Sequence, residues 1–165
     1  MAWQITEQRV GYQPIETVDT TQNHKLGTRV KALNTTNGDE GEFIYLPGCS
    51  NGADGAWVTY DPDNWATTAL ATSAVGPVAV CMSNMSATTT WGWAQIYGLS
   101  PSTQVLTSFA DGARVFCTAS AGFVDDASVT GDMVNGAKGA SASTARSADV
   151  GLQYPWVNNN SNSGA

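Results

Sequence analysis

The dominant pattern along the chain is two-residue alternation interrupted by short polar turns. From position 28, "TRVKALN" sets Val30, Ala32 and Asn34 against Arg29, Lys31 and Leu33, the period of a half-buried strand. "NTTNGDEGE" follows as a polar turn, and its Asn37-Gly38 is a strong hairpin signal. "EFIYLP" reads as a strand stopped by Pro47-Gly48, "GCSNGADG" as a loop, and "AWVTYDP" as a strand with Trp57 and Thr59 opposite Val58 and Tyr60. After the turn "DPDN" comes "TTALATS", a short strand or loop, and then "GPVAVCMS", whose continuous apolar character marks a buried strand. "TTTWGWAQIYG", "STQVLTS", "ARVFCTA" and "GFVDD" complete the series, and "DVGLQYPW" reads as the last strand. Helical periodicity is scarce. Its best candidate, "SASTARS" at 141–147, is short and reads as part of a Gly-, Ala- and Ser-rich loop. Strands recurring about every ten residues with turns between them predict an all-β fold, a small antiparallel β-sandwich or barrel.

The two ends depart from this pattern. Residues 1–26 have no clean period: Trp3, Ile5, Val10, Tyr12, Ile15 and Val18 stand singly among Thr, Gln and Pro14. They read as an extended N-terminal arm leading into a β-rich domain at 27–156. A tryptophan in a polar arm exposes a large apolar area unless it docks, so Trp3 is expected to find a partner on this domain or a neighbour. Residues 157–165, "VNNNSNSGA", have the composition of a flexible tail.

Within the series, "TTTWGWAQIYG" puts Trp91, Trp93, Gln95 and Tyr97 on one side and Gly92, Ala94 and Ile96 on the other. One face is expected to be core and the other to be met by another chain or by the arm. The alternative is burial of both faces within one chain, ordinary for an apolar sheet covered on both sides.

The length of 165 residues suits one domain. Charged residues are only 13%, about half the usual share of a globular chain. Small neutral polar groups take their place, as on proteins that pack against copies of themselves or a partner. The formal charge is −7 and the seven Lys and Arg residues are scattered, so no basic stripe exists to neutralise phosphates and no nucleic-acid partner is expected. The acidity also disfavours an anionic membrane surface. No apolar run approaches a membrane span, and "MAWQITEQRVGYQ" lacks the apolar region of a signal peptide. The expectation is a soluble protein made in the cytosol. Three cysteines, Cys49, Cys81 and Cys117, with no C-x-x-C spacing argue against a disulfide framework or zinc site and for buried free thiols.

Candidate chemistry is thin. Gly48-Cys49-Ser50-Asn51-Gly52 matches the G-x-S-x-G nucleophile pattern, but a strand rather than a helix follows, and the single histidine, His24, precedes Ser50. The carboxylates cluster at turns, as Asp39-Glu40-Glu42, Asp61/Asp63 and Asp125-Asp126, where aspartate is expected as a turn residue. Asp61-Pro62-Asp63-Asn64 lacks the spacing and glycine of a calcium loop. We expect neither an enzyme nor a cofactor or metal site.

Taken together, "TTQNHKLGTRVKALNTTNGDEGEFIYLPG", "GAWVTYDPDN", "GPVAVCMSNMSATTTWGWAQIYG" and "ADGARVFCTASAGFVDDASVTGDMVNGA" resemble the capsid decoration, or cement, proteins of tailed bacteriophages. The similarity covers roughly residues 20–155. It is carried most specifically by the runs at 41–46, 76–80 and 93–98 and by the run from Ala121 to Asp126. The resemblance implies a β-rich protein on the outer surface of the virion, without catalysis. Its partners would be the major capsid protein and copies of itself, in a homotrimer or a dimer. The contact residues are inferred from the sequence rather than carried over: Trp3, Val10, Tyr12 and Ile15 in the arm, Trp91, Trp93 and Tyr97 in the aromatic strand, and Trp156 at the end of the last strand. An alternative reading is a carbohydrate-binding β-sandwich with a platform of Trp91, Trp93 and Trp65.

Overall fold

The computed structural model describes residues 3–6, 11–128 and 132–158. Every element among them is a strand: β1 (Trp3–Ile5), β2 (Arg29–Asn34), β3 (Glu40–Pro47), β4 (Trp57–Tyr60), β5 (Thr67–Ala69), β6 (Gly76–Cys81), β7 (Trp91–Gln104), β8 (Arg114–Cys117), β9 (Val124–Asp125), β10 (Met133–Gly139) and β11 (Ser147–Val157). They form one antiparallel sheet in the order β1-β2-β3-β7-β6-β11-β10-β8-β9, with β4 and β5 branching from β6. "TTTWGWAQIYG" and "STQVLTS" are parts of one long strand, β7. Glycine-rich Met133–Gly139, which carried no strand signal, is recruited as β10 between β11 and β8.

The sheet turns sharply where β7 and β11 diverge. β11 pairs with β7 through Gln153 and Tyr97, then with β6 through Trp156–Pro77 and Val157–Gly76, while β6 pairs with β7 through Val80–Gln95 and Cys81–Ala94. Three strands that are mutually antiparallel cannot lie in one flat sheet, so β6 sits in the fork and the sheet folds over.

The folding creates three cores. Trp57, Val78, Val80, Val115, Val134, Val150 and Leu152 pack in the first. Ile44, Leu46, Val58, Ala79, Cys81, Ala94 and Ile96 form the second. Trp3, Ile15, Val30, Phe43, Tyr45 and Trp93 form the third. β3 and β7 separate the second core from the third. The alternation read from sequence holds here: Phe43, Tyr45 and Trp93 face one way, and Ile44, Leu46, Ala94 and Ile96 the other. Gly92 lets the strand approach Met85, whose sulfur would lie 2.6 Å from any β-carbon added there.

The N-terminal segment covers the third core. β1 adds to the edge of β2, and Asp19 exchanges main-chain hydrogen bonds with Trp91 at 2.7 and 2.9 Å. The Trp3 ring meets Phe43 edge-on at 5.0 Å, and Tyr12 meets Trp93 at 5.7 Å. A polar clasp lies beside them. The Tyr45 hydroxyl donates to Asp19 Oδ2 at 2.6 Å, Gln13 Nε2 donates to the same oxygen at 2.5 Å, and His24 Nε2 bonds Gln13 Oε1. Burial and the Asp19 bond push the Tyr45 phenol up to about 12. Of the two partners expected for the N-terminal segment, this domain or a neighbour, residues 3–6 and 11–26 are seated on their own domain. Trp3, Ile5, Tyr12 and Ile15 find partners on their own sheet, while Val18 stays exposed. Val10 and the tail residues 159–165 lie outside the described residues, and Val157, expected in the tail, is the buried end of β11.

Two stability predictions follow from these contacts. Gly98 has φ +97°, and a β-carbon there would collide with the Glu40 carbonyl, whereas Gly112 has φ +70° and open space. In urea unfolding, Gly98→Ala should cost about 3 kcal/mol and Gly112→Ala about 1, the difference reporting the collision. Tyr45→Phe removes a bond to a carboxylate and should cost about 2 kcal/mol. Because the folded Tyr45 phenol titrates above its ordinary value of 10.0, its contribution is complete below pH 10 and is lost as pH rises towards 12. The variant's alkaline destabilisation in that window, followed by circular dichroism, should be smaller than that of the parent.

Candidate functional site

The sequence-derived contact residues do not form one surface. Trp3, Ile15 and Trp93 are buried, and Tyr12 and Trp91 pack against the same core, partly covered. The platform of Trp91, Trp93 and Trp65 is not assembled. Trp93 is sealed in the third core, while Trp65 lies on the other side of β3, packed on the second core, stacked on Tyr60 and covering Gly27. The large apolar side chains left open are Tyr97 (43% exposed), Tyr154 (50%), Trp156 (48%), Val75 (65%) and Val18 (39%). Tyr97 and Trp156 were expected as contacts from sequence. Tyr154 was not.

Two bulges place these aromatics. Phe43 pairs with Gln95, but the next residue of β3, Glu42, pairs with Tyr97, so Ile96 is one residue in excess. The extra residue carries Tyr97 away from the Trp93 face and beside Glu42. This corrects the grouping of Tyr97 with Trp91 and Trp93. Buried Gln95 braces the bend, its Nε2 donating to the carbonyls of Tyr97 at 3.0 Å and Leu99 at 3.1 Å.

The second bulge is in β11. Ala148, Val150 and Leu152 point inward, and unbroken alternation would send Tyr154 and Trp156 inward too. Instead β11 advances four residues, from Leu152 to Trp156, while β10 advances two, from Ala137 to Asn135. Tyr154 takes φ +48°, which costs a side-chain-bearing residue about 1–2 kcal/mol. Pro155 and Val157 turn inward, and Trp156 turns out beside Pro77. Gly136 makes room for the bend, since a β-carbon there would lie 2.6 Å from the Gln153 carbonyl oxygen.

Polar contacts hold the Tyr154 ring in place. Its hydroxyl donates to Glu42 Oε2 at 2.7 Å, and its ring lies 5.3 Å from that of Tyr97 with a tilt of 30°. The bond to Glu42 raises the Tyr154 phenol. Arg29 meets the other oxygen of Glu42 at 3.8 Å. The rings form a ridge between two grooves. One, of about 650 Å³, runs over Gly98, Leu99, Gly136 and Gly151, and the other, of about 380 Å³, is lined by Lys31, Glu40, Glu42 and Thr6.

The candidate catalytic groups stay apart. Gly48 and Gly52 press against the backbone around Met85, whose carbonyl accepts from Cys49 N–H and whose own N–H donates to the Gly52 carbonyl. The G-x-S-x-G match is thus a loop-to-loop staple followed by β4. Cys49 belongs to the second core, whereas His24 packs on Tyr45 and Trp93 across the sheet. Asp61 and Asn64 cap turns through their own backbone, and Asp126 accepts from Ala110 N. Among the described residues no three His, Cys, Asp or Glu side chains are grouped to hold a metal ion, and no helix is long and apolar enough to cross a membrane. No protein-family model matches the chain, and no curated protein or solved structure matches it.

All three thiols are free and buried. Burial raises Cys49 and Cys81, and it pushes Cys117 up to about 12. Since the thiolate is the reactive form, a colorimetric disulfide reagent at pH 8 should find no fast-reacting thiol in the folded protein and three in urea. One rapid equivalent without urea would contradict this packing.

Proposed function

We propose that the chain is a bacteriophage head decoration protein that binds the outer surface of an assembled shell and bridges neighbouring major capsid proteins. The observation that carries this reading is the apolar step formed by Val75, Pro77 and Trp156 where β11 meets β6. Val75 and Trp156 are among the most exposed apolar side chains of a chain with few charges. Exposed tryptophan is the side chain that most often anchors a protein interface. A groove of about 350 Å³ between Val75, Pro77, Tyr60 and Pro62 continues the step and offers a seat for a partner's side chain. The resemblance to decoration proteins points the same way.

The mechanism is additive. Packed DNA pushes a head outward, and a protein that spans two capsomers adds contact energy at the joint between them. A standard interface buries about 800 Å² on each partner, and symmetry-related copies linked to one another gain through effective concentration. In this reading the wrapped sheet is a compact barrel-like sandwich, and copies group as homotrimers at three-fold positions or dimers at two-fold positions on the virion. The docked N-terminal segment braces the domain rather than reaching across the joint.

Cosedimentation with purified DNA-free heads of the parent phage tests the reading. The parent chain should pellet with heads, and Trp156→Ala should weaken binding about tenfold or more, the loss of roughly 1.4 kcal/mol or greater expected of an interface anchor. Failure of the parent chain to bind heads, or equal binding by the variant, would overturn it.

A further inference from the structure

The Tyr97–Tyr154 ridge has features that the shell-binding step lacks, and the geometry points to a binding site for a neutral oligosaccharide there. The first feature is construction. Tyr154 is held in a strained backbone conformation, and residues in such conformations persist where surrounding structure enforces them and cluster at binding sites. Several contacts enforce it: the hydroxyl is bonded to Glu42, Glu42 faces Arg29, the ring rests on Tyr97, and Gly136 leaves room beneath the bend. The two rings are half exposed yet locked, so a ligand does not have to order them.

The second feature is shape. The ridge stands between grooves of about 650 and 380 Å³, and Tyr97 lines both. Each volume is in the range of small-molecule sites, and the shared ring makes them adjoining subsites for a ligand built from repeated units. The floor of the larger groove is backbone at Gly98, Gly136, Gly139 and Gly151, and a β-carbon on Gly151 would find its nearest neighbour 3.8 Å away, at the Lys138 carbonyl. The missing side chain at Gly151 leaves a shallow channel rather than a closed pocket.

The third feature is charge. The smaller groove is lined by Lys31, Glu40 and Glu42, with Arg29 paired to Glu42; the larger one has Lys138 and Glu40. Both signs of charge line each groove, with Glu40 shared between them and Arg29 paired to Glu42, so neither groove presents a field of one sign to select an anion or a cation. What remains are flat apolar faces edged by donors and acceptors, with Gln153 and Thr6 adding to the edge. A pyranose matches this: one apolar C–H face to lie on a tyrosine ring, and a rim of hydroxyls that both donate and accept. A planar aromatic ligand would stack but would leave the charged rim unmatched.

This site uses different side chains from the shell-binding step, so its test is independent of that proposal. The full chain is titrated, with its own tryptophan and tyrosine fluorescence as readout, with hexaoses of glucose, mannose and N-acetylglucosamine, and with hyaluronan and chitosan hexamers as anionic and cationic comparators. At least one neutral hexaose is expected to bind, and Tyr97→Ala and Tyr154→Ala are each expected to weaken it about tenfold or more. Tyr97→Phe, which keeps the ring, should bind like the parent, and Trp156→Ala should leave the affinity within twofold. The far-ultraviolet spectrum of each variant confirms that it is folded; if an alanine variant is not, Tyr154→Phe and Lys138→Ala serve in its place, each expected to weaken binding measurably. Absence of binding by every neutral hexaose at millimolar concentration, binding only by the charged hexamers, or affinity unchanged in folded Tyr97→Ala and Tyr154→Ala, or in the variants that replace them, would overturn the inference.

Discussion

β7 must be buried on both faces and still deliver its two ends to different neighbours. Its first half lies between β3 and β6 and its second half pairs with β11, while the Asp19 bridge closes its start. An unbent strand cannot serve both halves, because β6, β7 and β11 are each antiparallel to the other two. The excess residue at Ile96 and the left-handed Gly98 provide the bend. Gln95 is a long amide with no exposed surface, and its Nε2 donates to the carbonyls of Tyr97 and Leu99 across the bend. A buried amide costs stability unless bonded. Here the Nε2 end is bonded on both sides of the bend while Oε1 is buried without a hydrogen-bond partner among the described residues, so the polar residue in the middle of the aromatic strand is part of the hinge.

The N-terminal segment shows how the same interactions can be satisfied in two places. Strand addition to an exposed edge and insertion of aromatic anchors are ways of binding a neighbour. In this chain β1 adds to its own β2, and Trp3 and Ile15 fill its own third core. The Tyr45–Asp19–Gln13 clasp then sets the register of the segment on the sheet. With the apolar anchors used internally, the groups left for partners are at the opposite side of β3, where Glu42, Tyr97 and Tyr154 meet, and at the β6–β11 corner.

Two of those exposed aromatics, Tyr154 and Trp156, owe their direction to the left-handed backbone at one residue, Tyr154. Without the phase change at Tyr154, both Tyr154 and Trp156 would point into the first core. The structure instead keeps Leu152 and Val157 inside and turns two rings out. The apolar corner at Trp156 and the outward turn of Tyr154 are both consequences of that single change of phase, while Tyr97 owes its exposure to the separate bulge at Ile96.

The all-β class, most strand positions and the turn at Asn37-Gly38 were legible in the sequence, because alternation and turn residues are local properties. The failure of the G-x-S-x-G match was legible too, since the order of His24 and Ser50 and the absence of a following helix are written in the chain. What only the tertiary structure decided was where alternation breaks. β10 is a strand because β8 and β11 offer it two edges, despite its glycines. Tyr97 and Trp156 are exposed because partner strands fall out of step with them, and Trp93 is sealed because a segment some seventy residues earlier folds over it. A bulge is a mismatch between two strands, and no single strand's pattern contains the length of its partner.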